Sequence, residues 1–232
     1  MKTSTHHNSK STVSIERPEF TLSNSTATVL FKKCQTALIV LAISIVVNLA
    51  LRVDFVLLNI TLAEFSVTEA LQQILLLVSL LSFAHLAQKQ PSLKHAALLI
   101  SAFFSVLFIR ELDFLFDYIT HGFWAVPAII IASSVLLYAI NNGKRTLDQL
   151  AAILSSPHMN LLITGVMLLI VFSRLYGMGS FWKNIMAENY IRDVKIIAEE
   201  GTELLCYSLI AFASLKTVSG FTKKHASATS ET

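Results

Sequence analysis

Six apolar runs, each about as long as a bilayer is thick, constrain this chain more than anything else in it. They fall at about 32–50, 66–87, 95–116, 122–140, 158–177 and 194–216, and most carry almost no charge in their central part. A helix needs roughly 20 mostly apolar residues to cross the hydrocarbon core. Every backbone N–H and C=O there must bond within its own segment, so helices are the expected form. Barrel strands would alternate apolar and polar side chains with period two, and these runs do not. The expected fold is an all-α membrane protein, a bundle of about six transmembrane helices.

Composition agrees. Of the 232 residues 54% are hydrophobic and only 14% charged, against roughly 25% charged in an ordinary soluble domain, and mean hydropathy is +0.63. A water-solvated protein of this size needs charge over its whole surface. Residues 1–30 are rich in Ser and Thr and read as a disordered N-terminal tail, 31–218 as the six-helix domain, and 219–232 as a second polar tail. The first run has no small-residue cleavage pattern after it and is read as a retained span.

Punctuation supports the division. Ser66-Val67-Thr68-Glu69 has capping-box spacing. Pro91 separates the second and third runs, and Asn141-Asn142-Gly143 is a helix stop. A further Thr-x-x-Gln box at Thr146 opens a short interfacial helix, and Pro127 inside the fourth run is expected to kink it. The two cysteines, Cys34 and Cys206, have no CxxC or Cys/His spacing and read as small packing residues.

Charge divides between the two ends. With six spans both tails share a side, which holds Lys2, Lys10, Arg17, Lys32, Lys33, Lys89, Lys94, Lys144, Arg145, Lys216, Lys223 and Lys224. Only Arg52, Arg110, Arg174, Lys183, Arg192 and Lys195 lie toward the other. The positive-inside rule predicts N-in/C-in, with both termini cytoplasmic and the chain in a bacterial inner (plasma) membrane. Acidic residues divide the opposite way. Asp54, Glu64, Glu69, Glu111, Asp113, Asp117, Glu188, Asp193, Glu199, Glu200 and Glu203 gather at the outer end, with Glu16, Glu19, Asp148 and Glu231 inside. Trp124, Trp182 and Tyr190 fall in the same outer zone.

The candidate site follows from that gathering. If the third helix continues past 116, Asp113, Asp117 and His121 share a face at i, i+4, i+8, while Glu111 points elsewhere. The sixth run offers Glu199, Glu200 and Glu203, the second Glu69 with Gln72 and Gln73, and the fifth Arg174 and Tyr176. Charges inside a bilayer cost about 2.5–3.5 kcal/mol each on insertion scales and need partners. Six acids at the rim or within spans face two arginines, Arg110 and Arg174, so cations, protons or water must meet the surplus. Plainer roles compete: Glu69 as a cap, Asp117 and His121 in a solvated loop, Lys195–Glu199 as a surface pair, Arg110 as glue between helices.

Three activities fit. One is a metal-dependent membrane enzyme acting on a lipid or other membrane substrate. Glu200, Glu203, Asp113, Asp117 and His121 would ligate a divalent ion (Mn, Fe, Mg or Zn), Glu203, Glu200, Asp113 and Glu111 would act in catalysis, and Arg110, Arg174 and Glu69 would bind substrate. The Glu-x-x-His signature of di-metal bundles is absent. The second is a cation- or proton-coupled transporter component, for which the inner half of the bundle offers little polar path. The third is a non-catalytic lipid-binding or scaffold subunit contacting the bilayer and a membrane-protein partner. Whether the chain is an enzyme stays open at this level. No basic patch with interleaved aromatics is present, so nucleic acid is not an expected partner. His85, His95 and His158 sit toward the inner side, away from the acids, and GxGxxG, P-loop and GxSxG motifs are absent.

Overall fold

The computed structural model describes residues 24–58 and 66–229. It is helical throughout, with no strand among the described residues. The chain divides into two units, Met1–Ile39 and Val40–Thr232. In the first the described part is helical from Asn24, with exposed side chains up to Thr36 and beyond. The second carries the core and the site.

The elements are α1 (Asn24–Arg52), continued by a π-turn over Val53–Leu57, α2 (Val67–Lys89), α3 (Lys94–Glu111) and the short α4 (Asp113–Asp117). Then come α5 (Ala125–Leu154), α6 (Met159–Leu168) with a π-turn over Leu169–Ser173, α7 (Arg174–Gly177), α8 (Gly179–Met186) and α9 (Arg192–Thr229). Among the described residues six helical stretches are long and apolar enough to cross a membrane: Thr26–Leu57, Val67–Lys89, Pro91–Glu111, Ala125–Leu154, Met159–Gly177 and Arg192–Lys223.

Within the second unit the main helices pack as a row, α6 on α9, α9 on α2, α2 on α3 and α3 on α5. Leu76 and Phe83 of α2, Phe104 of α3, and Tyr207 and Ile210 of α9 are fully buried along this row. Gly165 lets α6 close on α9, for a Cβ there would lie 2.9 Å from Ile210 Cγ1. At the far end of the row α5 exposes Ile129, Ile130, Leu136, Leu137 and Ile140. Soluble monomers rarely expose so continuous an apolar face.

Several local expectations change. The third helix does not run on to 121: it breaks at Leu112 (φ −95°, ψ 18°), whose N–H is shared among the Phe108, Ile109 and Arg110 carbonyls. α5 begins at Ala125, so Pro127 falls in its first turn, where its missing N–H has no helical partner to lose, and the expected kink moves to Gly143 (φ 42°). Thr146 Oγ donates across that break to Ala139 O at 3.1 Å. Gln149 does not reach back to its own helix. Its Oε1 accepts from the His95 and Ala96 N–H groups at the start of α3 (2.9 and 3.3 Å). α9 continues to Thr229, into the stretch read as a tail, since adding residues to a formed helix costs little. Residues 1–23 of the other tail lie outside the described residues. Cys206 is buried as a packing residue, whereas Cys34 is exposed.

Candidate functional site

The start of α2 sets the acidic end of the second unit. Ser66 caps the helix, its Oγ accepting from Glu69 N–H at 3.0 Å. A second cap comes from outside the helix. Asp54, fully buried in the π-turn after α1, accepts from Val67 N–H (2.9 Å), Thr68 N–H (2.8 Å) and Thr68 Oγ (2.6 Å). A carboxylate at a helix N-terminus is favoured both by the orphan donors there and by the helix dipole. Asp54 therefore ties the end of α1 to α2 rather than contributing to the neighbouring cavity.

That cavity, of about 1010 Å³, lies among α2, α3, α4, the α6 π-turn, α7 and α9. Its charged and polar wall comprises Glu69, Gln72 and Gln73 from α2, Arg110 and Glu111 from α3, and Asp113 from α4. Ser173, Arg174, Glu199, Glu200 and Glu203 complete it. Leu107, Phe114, Trp124, Leu169, Ile170 and Met178 make up the apolar part.

A hydrogen-bonded chain crosses its floor. Tyr207 Oη donates to Glu111 Oε1 at 2.7 Å, and Arg110 Nη2 pairs with Glu111 Oε1 at 3.0 Å and with Glu203 Oε1 at 3.5 Å. Ser173 Oγ donates to Glu203 Oε1 in a short hydrogen bond. Glu203 is the most enclosed of the cavity carboxylates at 6% exposure. Glu111 does turn to a neighbour other than Asp113, and that neighbour is Tyr207.

The π-turn explains how Ser173 gets there. One extra residue in a helical turn rotates everything after it by roughly 100°, and at Leu169–Ser173 it leaves Ser173 buried against Glu203 and Arg174 on the cavity wall. Glu199 pairs with Lys195 at 2.8 Å and packs against Gly177, where a Cβ would collide with its carboxylate. Gln72 Nε2 donates to Glu200 O at 3.1 Å, holding α2 to α9 beside the cavity.

Six carboxylates thus share one cavity. Arg110 serves two of them and Lys195 a third. Glu69, Asp113 and Glu200 have no ion pair among the described residues, and neither has Arg174.

Asp117 and His121 stand apart from the cavity wall. His121 Nδ1 lies 3.0 Å from Asp117 Oδ2, and Gly122 N–H donates to Asp117 Oδ1 at 3.0 Å. The backbone bond first, then the histidine, holds the Asp117 carboxyl below its ordinary pKa. Asp113 and Asp117 are the two ends of α4, and of the two Asp113 lines the cavity. Tyr176 accepts the Trp182 Nε1 hydrogen bond at its carbonyl (2.7 Å) and packs its ring at a tilt against Phe172 and Trp182 instead of lining the cavity. Glu64 lies outside the described residues.

Two residues of the floor escape a reading of the sequence, Ser173 and Tyr207. Tyr207 had a signal, a phenol four residues after Glu203 on one helix face in an otherwise apolar stretch. Ser173 had none beyond preceding Arg174. Among the described residues no three His, Cys, Asp or Glu side chains form a group placed to hold a metal ion. Comparison with family models, curated proteins and solved structures finds no match for this chain.

Proposed function

We propose that this is a multi-pass integral membrane protein, N-in/C-in, that binds a cation-bearing ligand in the carboxylate-lined cavity at its acidic end. One observation carries the reading: six carboxylates line a single cavity whose lining carries two arginines, and Glu69, Asp113 and Glu200 have no ion pair among the described residues. A surplus of carboxylates over cations in one cavity of a membrane protein needs compensation, and a bound cation supplies it. The six long apolar helices and the exposed apolar face of α5 support membrane insertion. The concentration of Lys and Arg toward the tails supports the orientation, and a C-terminal reporter that is active only outside the cytoplasm would refute it.

An organic cation is preferred to a metal ion because the carboxylates line a wide cavity without converging three at a time. The test is thermal stabilisation of the detergent-purified protein by a series of organic ammonium ions, in parallel with divalent metals. Stabilisation by ammonium ions that weakens in Glu200→Gln and Asp113→Asn supports the reading. Stoichiometric Mn, Fe, Mg or Zn, lost in the same variants, would replace it with the metal-dependent enzyme. Indifference to both would remove it.

A further inference from the structure

We infer that the ligand is a zwitterionic phospholipid with a primary ammonium head group, taken sideways from the bilayer between α3 and α6. This rests on the cation-binding reading above and adds three observations to it.

The first is that the wall carries both signs. Beside the carboxylates stands Arg174, whose guanidinium has no ion pair among the described residues, while Arg110 is already held by Glu111 and Glu203. A free guanidinium on a cavity wall suits the paired oxygens of a phosphate. Ammonium on Glu200 and phosphate on Arg174 meet both needs with one head group, whereas a simple amine leaves Arg174 unmatched.

Size is the second. About 1010 Å³ is at the top of the range for small-molecule sites, far more than an alkylamine fills.

The third is the opening. α2 and α9 pack on each other and form the back of the cavity, with α3 held to α2 and α6 to α9. α3 and α6, the two sides, have no extended packing against each other. On the cavity wall these two sides present apolar residues: Leu107 on α3, and Leu169 and Ile170 on the α6 π-turn. Ile170 is 54% exposed while it also lines the cavity, so the wall continues out to the surface that lipid would cover. A ligand with a polar head and apolar chains fits this shape, the chains leaving past Leu107 and Ile170.

The experiment is native mass spectrometry of the full chain released from nanodiscs of equal parts phosphatidylethanolamine and phosphatidylglycerol, with titration of water-soluble glycerophosphoethanolamine. Expected is retention of phosphatidylethanolamine over phosphatidylglycerol by about tenfold or more, the worth of one charge-assisted contact, with the soluble head group binding weakly. Arg174→Gln should lower the retention of both lipids, since both carry the phosphate, and Ile170→Trp should slow lipid exchange. Both sites are exposed, so neither change threatens folding. Equal retention of the two lipids, or undiminished phosphatidylethanolamine retention in Arg174→Gln, overturns the inference. So does tight binding of the soluble head group alone, which points to a water-borne zwitterion. If simple ammonium ions still stabilise the protein in those cases, the cation-binding reading survives. If they do not, both fall.

Discussion

Replacing Asp54 by alanine should destabilise the protein more than any change to the cap on α2 itself. The side chain is fully buried and accepts three hydrogen bonds, two of them from Thr68, also fully buried. Val67 is exposed, so its N–H can turn to solvent when the carboxylate is lost. The Thr68 N–H and hydroxyl cannot, and each buried unsatisfied group costs about 1–3 kcal/mol. Asp54→Ala should therefore cost about 2–6 kcal/mol. Asp54→Asn keeps an acceptor oxygen and loses the charge at the helix N-terminus, for about 1–2 kcal/mol. Ser66→Ala, which removes one partly exposed cap bond, should cost about 1 kcal/mol. The assay is reversible unfolding in mixed micelles by increasing SDS fraction, with amide exchange at Thr68 as the local probe. An Asp54→Ala loss below about 0.5 kcal/mol, or a Ser66→Ala loss exceeding it, would show that the contact between α1 and α2 is not what holds this end together.

Other expectations can be checked with the same preparation. Tyr207→Phe removes the phenol hydrogen bond to Glu111 and should cost about 1 kcal/mol, visible as a lower melting temperature. Gly165→Val sets side-chain atoms against Ile210 at the α6–α9 contact and should cost about 1–3 kcal/mol. Gly220→Ala, with open space around it on α9, should be neutral or stabilising by up to about 1 kcal/mol. A reversed order of these two glycine variants would contradict the α6–α9 packing. The turn at 117–122 depends on ionised Asp117. Because that carboxyl's pKa is lowered in the folded state, its contribution is complete above the ordinary carboxylate range and is lost as pH falls through the lowered value. Exchange protection at Gly122 should fall over that acidic window and be weakened above it in Asp117→Asn, while protection in α9 is unchanged.

The helices and their ends were legible in the sequence because the cause is local. An apolar segment satisfies its backbone through its own i→i−4 bonds, so length, apolarity and capping residues suffice to place it. Ser66 before Glu69 marked the start of α2, Gly143 marked the break in α5, and the acids on α2, α3 and α9 did come to one cavity. The same local pattern failed past Asp117, where α4 ends: Asp117 and His121 pair with each other, but on a turn that does not line the cavity with Asp113.

Only the tertiary structure decided which groups meet. Asp54 and Thr68 are 14 residues apart, Ser173 and Glu203 30, Glu111 and Tyr207 96, and no periodicity connects such pairs. A single extra residue in the π-turn at Leu169–Ser173 turns Ser173 and Arg174 to the faces they occupy, and apolar composition does not register it. That α3 and α6 have no extended packing against each other depends on the order in which helices pack, which the hydropathy of each helix does not specify. Sequence determined that six apolar helices bring a surplus of carboxylates to one end. Long-range packing determined which of those carboxylates are held by Arg110, Tyr207 and Ser173, and which are left facing the cavity.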